Sequence, residues 1–488
     1  MKIKETFELA FQNHKNNNLE IAEKLYKEII EKDPNHFGSA FYLGTLSMQN
    51  KNFEEAIKWY EKAIKINPNF PDAYNNLGTI FQNLKKYENA ITYYEKAAKV
   101  NQNYPDALNN LGTIKQIFGN LEEAISLYEK AITINPKFSS AYNNLASVLN
   151  EIGKPKKAIE NCEKAIQINP DYASAYNNLG NAYKKLKDFQ KAIECYEKVL
   201  QINPEYINAN NNLGAIFRDL GNPGDAKKYF KKIDTTSSRG ELLECVYFSE
   251  NLKNYETMLE NLVKKDPLNL RVATIAAYVA KKENIKNIYP FCKDPLNFVF
   301  TKNIKNEFGT ADEYLKKLLN TLDRINSVWE PTSYTTKGGY QSTGNLFESN
   351  ETEINKLIEI FEKQIDSYRA TYKNEKDFFV TKWPNKTMFR GWHVKLLKQG
   401  YQNSHIHPAG WLSGVFYLKV PEQLNNNEGS IEFTLYGYDY PNHKNLPNLF
   451  HKPKSFDLAL FPSSLFHRTI PFNVEDERHV IAFDLIPK

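Results

Sequence analysis

The strongest constraint on this chain is a period of 34 residues running through its first half. Alanine recurs at Ala22, Ala56, Ala90, Ala124, Ala158, Ala192 and Ala226. A small residue precedes each of them, at Ala10, Gly44, Gly78, Gly112, Ala146, Gly180 and Gly214. An aromatic follows each alanine by four positions, at Tyr26, Tyr60, Tyr94, Tyr128, Tyr196 and Phe230, with Cys162 in its place once. Proline closes five units, at Pro34, Pro68, Pro136, Pro170 and Pro204; Gln102 and Ser238 stand there in the other two. A fixed period of this length predicts a solenoid of stacked helix pairs, each burying its apolar face only against its neighbours. Small residues let paired helices approach, the aromatic fills the gap between pairs, and proline stops a helix because it lacks an N–H donor.

The pattern resembles tetratricopeptide repeats, seven of which cover residues 3 to about 238. From 239 to 305 the period decays, yet Leu242, Leu243, Tyr255, Leu259, Leu262 and Pro267 fit one more degenerate repeat. Such an array needs an atypical end to cover its last apolar face, so this stretch is expected to be a cap. The expected organisation is therefore repeats over 1–238, a cap over 239–305 and a separate domain over 306–488.

Five successive first helices carry paired asparagines, as in Tyr74-Asn75-Asn76-Leu77-Gly78 and Tyr142-Asn143-Asn144-Leu145-Ala146. Asparagine is a poor helix former, so something should offset its cost. The ladder Asn76, Asn110, Asn144, Asn178 and Asn212 resembles the one with which the superhelix of O-GlcNAc transferase holds extended peptide backbone. That likeness implies a protein or peptide partner in the concave groove, held by carboxamides that donate and accept at once. The alternative is that the asparagines are merely solvated in a sequence rich in Lys and Asn. The tyrosine and alanine stripes, with Cys162 among them, read as core.

Two amphipathic helices follow, near 311–328 and 351–373, separated by the Gly-containing stretch Thr335 to Ser342. Beyond Lys376 the apolar period becomes two, with strands expected at 388–397, 411–420, 430–436, 455–461 and 479–486. This predicts an antiparallel sandwich or barrel preceded by helices. Seven of the nine histidines lie between 393 and 479. His405 and His407 are two apart at a strand entrance, so in extended chain they face the same way, about 6.6 Å apart, and can reach one metal. Sixty residues later an apolar strand ends in His467, and Arg478 opens the last strand. A metal held on one face keeps positions open for substrate and dioxygen, and a guanidinium can clamp a carboxylate.

The ordered motifs Gly338-Gly339-Tyr340-Gln341-Ser342, Asn403-Ser404-His405-Ile406-His407-Pro408, Leu412-Ser413-Gly414-Val415-Phe416-Tyr417-Leu418, Leu460-Phe461-Pro462-Ser463 and His467 to Arg478 resemble the 2-oxoglutarate/Fe(II) oxygenases of the double-stranded β-helix fold, in their uncharacterised bacterial and phage branch. The resemblance covers roughly residues 295 to 488. It implies that His405 and His467 bind Fe(II) and that Arg478 anchors the far carboxylate of 2-oxoglutarate; separately, Tyr417, on the strand after the histidine pair, is a candidate contact to the cosubstrate. It also implies oxidative decarboxylation of 2-oxoglutarate by O2 coupled to hydroxylation of a C–H bond. His407 departs from the general His-x-Asp/Glu pattern. Either it is a third imidazole ligand, which leaves the metal at +2 and open to zinc as well as iron, or another group completes the shell. The alternatives are a scaffold with a non-catalytic metal-binding β module, and a small-metabolite oxygenase whose repeats serve assembly. His393 and His479 read as structural, and His443 and His451 as exposed loop residues.

Lys and Arg number 63 against 58 Asp and Glu, and the excess of five is spread along 488 residues with no basic-aromatic stripe, which argues against a nucleic-acid partner. No run of about 18 apolar residues predicts a membrane span, and four cysteines without CxxC spacing suit a reducing compartment, so the expectation is cytoplasmic. The sequence leaves oligomeric state open.

Overall fold

The computed structural model describes residues 2–331, 335–422, 424–437, 440–441, 443 and 446–488. It divides into two compact units, Met1–Asn203 and Pro204–Lys488. In the first, helix pairs run from Ile3–Lys15 with Leu19–Lys32 to Ala173–Lys185 with Phe189–Ile202, in the predicted 34-residue step.

The small position and the aromatic sixteen residues later are one packing device. A Cβ on Gly78 would lie 2.5 Å from the ring of Tyr94, one on Gly112 2.8 Å from Tyr128, and one on Gly180 2.7 Å from Tyr196. The ring thus lies flush on helix backbone, and no side chain fits between them. Alanine takes the small position twice: Ala10 in the first repeat keeps its ring, Tyr26, whereas Ala146, inside the array, is followed by Cys162 in place of the ring. Ala146 and Cys162 are fully buried, so the larger residue on one helix is matched by the smaller on the next.

The second unit begins with the seventh pair, Ile207–Asp219 and Pro223–Phe230, followed by helices Thr236–Ser249, Leu252–Lys265 and Leu270–Lys282. The last of these is buried at Leu270 and from Val272 to Val279 and packs on the β domain. Thr274 Oγ1 donates to the Ser464 carbonyl at 2.7 Å, and Tyr278 to that of Pro441 at 3.1 Å. Arg271 holds Glu244 through two 2.8 Å bonds, and Tyr440 donates to the same carboxylate at 2.6 Å.

Among the described residues the β domain has ten strands: β1 Phe300–Asn303, β2 Ser327–Trp329, β3 Thr336–Ser342, β4 Thr387–Gln402, β5 Leu412–Lys419, β6 Ile431–Thr434, β7 Asn448–His451, β8 Asp457–Pro462, β9 Phe466–Thr469 and β10 Arg478–Pro487. They form antiparallel sheets in the orders β1-β8-β5-β10-β4-β3-β2 and β7-β6-β9, the jelly-roll arrangement of a two-sheet β fold. Val394, Leu396, Val415, Tyr417, Phe433, Phe461 and Val480 fill the space between the sheets, and helix Thr352–Tyr372 belongs to the larger core on the other face.

Two local expectations change. The helix near 311–328 ends at Leu322, where Asp323 to Ser327 supplies breakers and Val328-Trp329 pairs with β3 instead. The glycine stretch at 338–339 lies inside strand β3, because a Cβ on Gly339 would meet the Lys395 carbonyl at 2.4 Å and Gly338 has φ +59°.

Candidate metal centre

Three imidazoles converge where β9 meets the chain entering β5. His405 and His467 exchange both backbone hydrogen bonds at 3.1 Å, and His407 N–H donates to the Ser463 carbonyl at 2.9 Å, so main chain sets all three side chains. Ring centroids lie 4.3 Å apart for His405 and His467, 4.9 Å for His405 and His407, and 5.1 Å for His407 and His467. One nitrogen from each falls within 4.8 Å of the others.

In every ring the Nδ1 position is engaged by a group that only accepts. His405 Nδ1 meets the Asn403 carbonyl at 2.6 Å, His467 Nδ1 the Leu465 carbonyl at 3.2 Å, and His407 Nδ1 the Asp484 carboxylate at 2.8 Å. Each ring therefore carries its proton on Nδ1 and presents the Nε2 lone pair, the form a metal requires. His407 Nε2 is buried without a hydrogen-bond partner. Burial, reinforced by the neighbouring imidazoles, pushes His405 down to about 3 and His467 well below its ordinary value, so both are neutral at pH 7. Trp392 stacks on His407 at 5.5 Å and 9°, and Phe461 packs on His467 at 4.6 Å. A cavity of about 330 Å3 opens beside His405 and His407, walled by Gln341, Trp392, Gln402 and Asp484, with Arg390 among its lining residues.

The family model described as "Putative 2OG-Fe(II) oxygenase" matches residues 390–484, a span that contains all three histidines. Tetratricopeptide-repeat models match residues 44–85, 69–137, 127–160, 146–187, 173–206 and 207–236. The chain carries tetratricopeptide repeats and a 2OG-Fe(II) oxygenase-family domain. Among solved structures, MamA is 32% identical over 32% of this chain and 91% of its own, with a TM-score of 0.29. YrrB, titled a TPR protein with an unusual peptide-binding site, is 22% identical over 38% and 95%, at 0.31. The pilF protein of Pseudomonas aeruginosa is 23% identical over 46% and 97%, at 0.37. No curated protein matches the chain.

The oxygenase family implies Fe(II), 2-oxoglutarate and O2, and the donors fit. Three imidazoles whose Nδ1 positions are tied to acceptors and whose Nε2 atoms are left for a metal suit iron, although they suit zinc too. Arg478 is 2% exposed, lies 5.0 Å over the Tyr417 ring, and donates Nη1 to the Gly429 carbonyl at 3.0 Å, while its Nε has no partner. No carboxylate among the described residues pairs with this guanidinium, so it is a buried cation suited to an acidic ligand. Arg478 and Tyr417 do not line the 330 Å3 cavity. Arg478 shares a face of β10 with Asp484 but sits six residues away, about 20 Å of strand.

His393 and His479 pair with each other at 3.2 Å, and His479 with Glu477 at 3.1 Å, away from the triad. His443 is exposed. His451 ends strand β7 and faces Asp457 at 3.2 Å, so it is not the loop residue expected. Asp484, Ser413 and Ser463 escaped sequence reasoning, although a lone carboxylate in the apolar run Val480 to Ile486 was a usable signal.

The asparagines are neither idle nor simply solvated. Asn178 donates to Asn143 Oδ1 at 2.9 Å, Asn143 to Asn144 at 3.3 Å, Asn144 to Asn109 at 3.0 Å, Asn109 to Asn110 at 3.4 Å, and Asn110 to Asn75 at 3.0 Å. This is one head-to-tail chain of carboxamides crossing four repeats. Asn76 donates to the Tyr60 hydroxyl at 3.1 Å. Asn110 and Asn144 stay half-buried, each using one amide hydrogen and one lone pair in the chain, while Asn212 is half-buried in the second unit. Inter-repeat hydrogen bonds thus offset the helix penalty of asparagine without a ligand.

Proposed function

We propose that the C-terminal domain is an Fe(II)- and 2-oxoglutarate-dependent dioxygenase, a hydroxylase, acting on a protein or peptide that the repeats recruit. The observation that carries this reading is the triad in which every Nδ1 is tied to an acceptor and every Nε2 is turned free. Iron held there with 2-oxoglutarate would supply O2 activation and oxidation of a C–H bond. His405, His407 and His467 hold the metal, and strand backbone fixes their spacing before it arrives. Arg478 offers its unpaired Nε to the far carboxylate of the oxo acid, with Tyr417 against it. Trp392 and Phe461 exclude water from two sides of the triad. In the first unit, Asn76, Asn110, Asn144 and Asn178 are the groups that would meet extended peptide backbone, and in the second unit Asn212 is the residue that would do so.

The test is succinate release from 2-oxoglutarate with Fe(II) and cell lysate, compared with a His467→Ala variant. Equal release from both would end the proposal. A second reading, a zinc-holding module without catalysis, is favoured by one observation: no carboxylate stands among the three ligand side chains. Under anaerobic conditions an iron chelate of 2-oxoglutarate absorbs in the visible and a zinc site does not, so spectra of the loaded protein separate the two.

A further inference from the structure

Asp484 is the one acidic residue in the apolar run of β10 from Val480 to Ile486, and it is 6% exposed. A carboxylate in that position is costly unless its charge is used. Its Oδ2 accepts a hydrogen bond from His407 Nδ1 at 2.8 Å, and its Oδ1 accepts one from the Ser413 hydroxyl at 2.7 Å. Ser413 also lies 2.8 Å from the Ser463 hydroxyl, and the Ser463 carbonyl holds the His407 N–H at 2.9 Å. Gly410 makes room for this cluster, since a Cβ there would lie 2.7 Å from Ser463 Oγ and 3.2 Å from Asp484 Cβ. Arg390 is the cross-strand neighbour of Asp484, yet no ion pair joins them. Among the described residues His407 is the only basic side chain paired with this carboxylate.

We infer that Asp484 is a positioning residue that returns to the metal, through His407, the negative charge that a triad of imidazoles lacks. This rests on the metal-centre reading above. Three neutral ligands leave a divalent ion at +2, and a carboxylate bound to the far nitrogen of one ligand gives that imidazole anionic character and brings the assembly to +1. That is the charge of a site with two histidines and one carboxylate. His407 and Asp484 therefore act as one unit, with the carboxylate moved one residue outward from the metal. The serines orient it and satisfy its other oxygen.

The experiment measures anaerobic Fe(II) and Co(II) affinity by chelator competition, together with the Fe(III)/Fe(II) midpoint potential. Asp484→Asn keeps an acceptor for His407 but removes the charge, and should weaken binding 10- to 100-fold and raise the potential. Ser413→Ala keeps the charge and removes a donor from it, so the potential should move the other way. A merely structural role would shift both variants alike. Melting of the metal-free variants checks folding, and Ser413→Ala carries the test if Asp484→Asn does not fold. Asp484→Asn within threefold of wild type at unchanged potential, while His405→Ala loses the metal, would overturn the inference and leave the metal centre standing. A wild-type protein that binds neither ion would refute the metal centre and the inference together.

Discussion

Metal loading should release almost no protons from the two buried histidines of the triad. Imidazoles of ordinary pKa near 6.5 would each be about three-quarters protonated at pH 6.0, so His405 and His467 together would shed about 1.5 protons to a metal. Here burial holds His405 at about 3, so at pH 6.0 about one molecule in a thousand carries its proton, and the same burial pushes His467 well below its usual value. Their contribution is therefore nil, and His407 can add at most one proton. Titration calorimetry with Zn(II) or Co(II) in buffers of differing ionisation enthalpy reads the number directly. The same measurement at pH 7.5 should change it by less than one. Release of more than one proton at pH 6.0 would show that the imidazoles are charged and exposed before loading, and the preformed triad would be refuted.

Four other outcomes are expected. His393 and His405 both sit at about 3 against 6.5 in the unfolded chain, so the unfolded state binds more protons between those values. The metal-free second unit should lose about 1.4 kcal/mol per pH unit per histidine as pH falls below 6.5, levelling off near 3; a urea midpoint, followed by tryptophan fluorescence, that stays flat from pH 6 to 4.5 would contradict this. Cys162→Tyr should cost about 1–3 kcal/mol by overpacking against Ala146, and Ala146→Gly should restore much of it, giving a coupling above about 1 kcal/mol in a double-mutant cycle. Asn143→Ala removes a link from the carboxamide chain and should destabilise the repeats by about 1–2 kcal/mol despite the better helix former, as read by thermal unfolding. Arg478→Gln should raise the KM for 2-oxoglutarate at least tenfold while Arg390→Gln leaves it within threefold; the reverse would move the cosubstrate anchor to Arg390, which lines the cavity.

The repeat half was legible because every unit must solve the same packing problem, so Gly78 with Tyr94 and Gly112 with Tyr128 repeat one answer at one spacing. The compensation of Ala146 by Cys162 was visible as two departures, but only their contact makes them one event. In the β half the period of two located β4, β5, β6, β8 and β10, whose apolar alternation is long enough to read. The short strands β1, β2, β7 and β9 were missed as elements because three or four residues carry no usable period, whereas the equally short β6 lies within the longer alternating stretch Ser430 to Tyr436, and β3 was hidden by glycines that sheet contact requires. His405 and His407 were readable from their separation of two. Asp484 stands out as a lone carboxylate in an apolar run, but its role was not readable because its partner lies 77 residues earlier in the chain. The asparagines show the opposite failure: their regularity was plain, but sequence alone did not reveal that they bond to one another.

A buried polar atom without a partner costs about 1–3 kcal/mol, and a fold keeps such atoms only where something else repays the loss. Several such atoms lie in the β domain, Trp392 Nε1, Tyr417 Oη and Ser464 Oγ among them, and three bear on the site: His407 Nε2, Arg478 Nε, and Ser430 Oγ, which adjoins the carbonyl that holds Arg478. One is a lone pair that a metal satisfies, and another is a cationic donor that a carboxylate satisfies. Metal and oxo acid would therefore remove defects that the apolar core cannot relieve, so their binding energy should appear as stability of the domain itself. Loading at a hundred times Kd is worth about 2.7 kcal/mol by mass action. An addition of 2-oxoglutarate that raises the melting temperature of the iron-loaded wild type but not of Arg478→Gln would place the oxo acid on that guanidinium. Equal shifts in the two proteins would mean that the buried charge of Arg478 serves the fold alone.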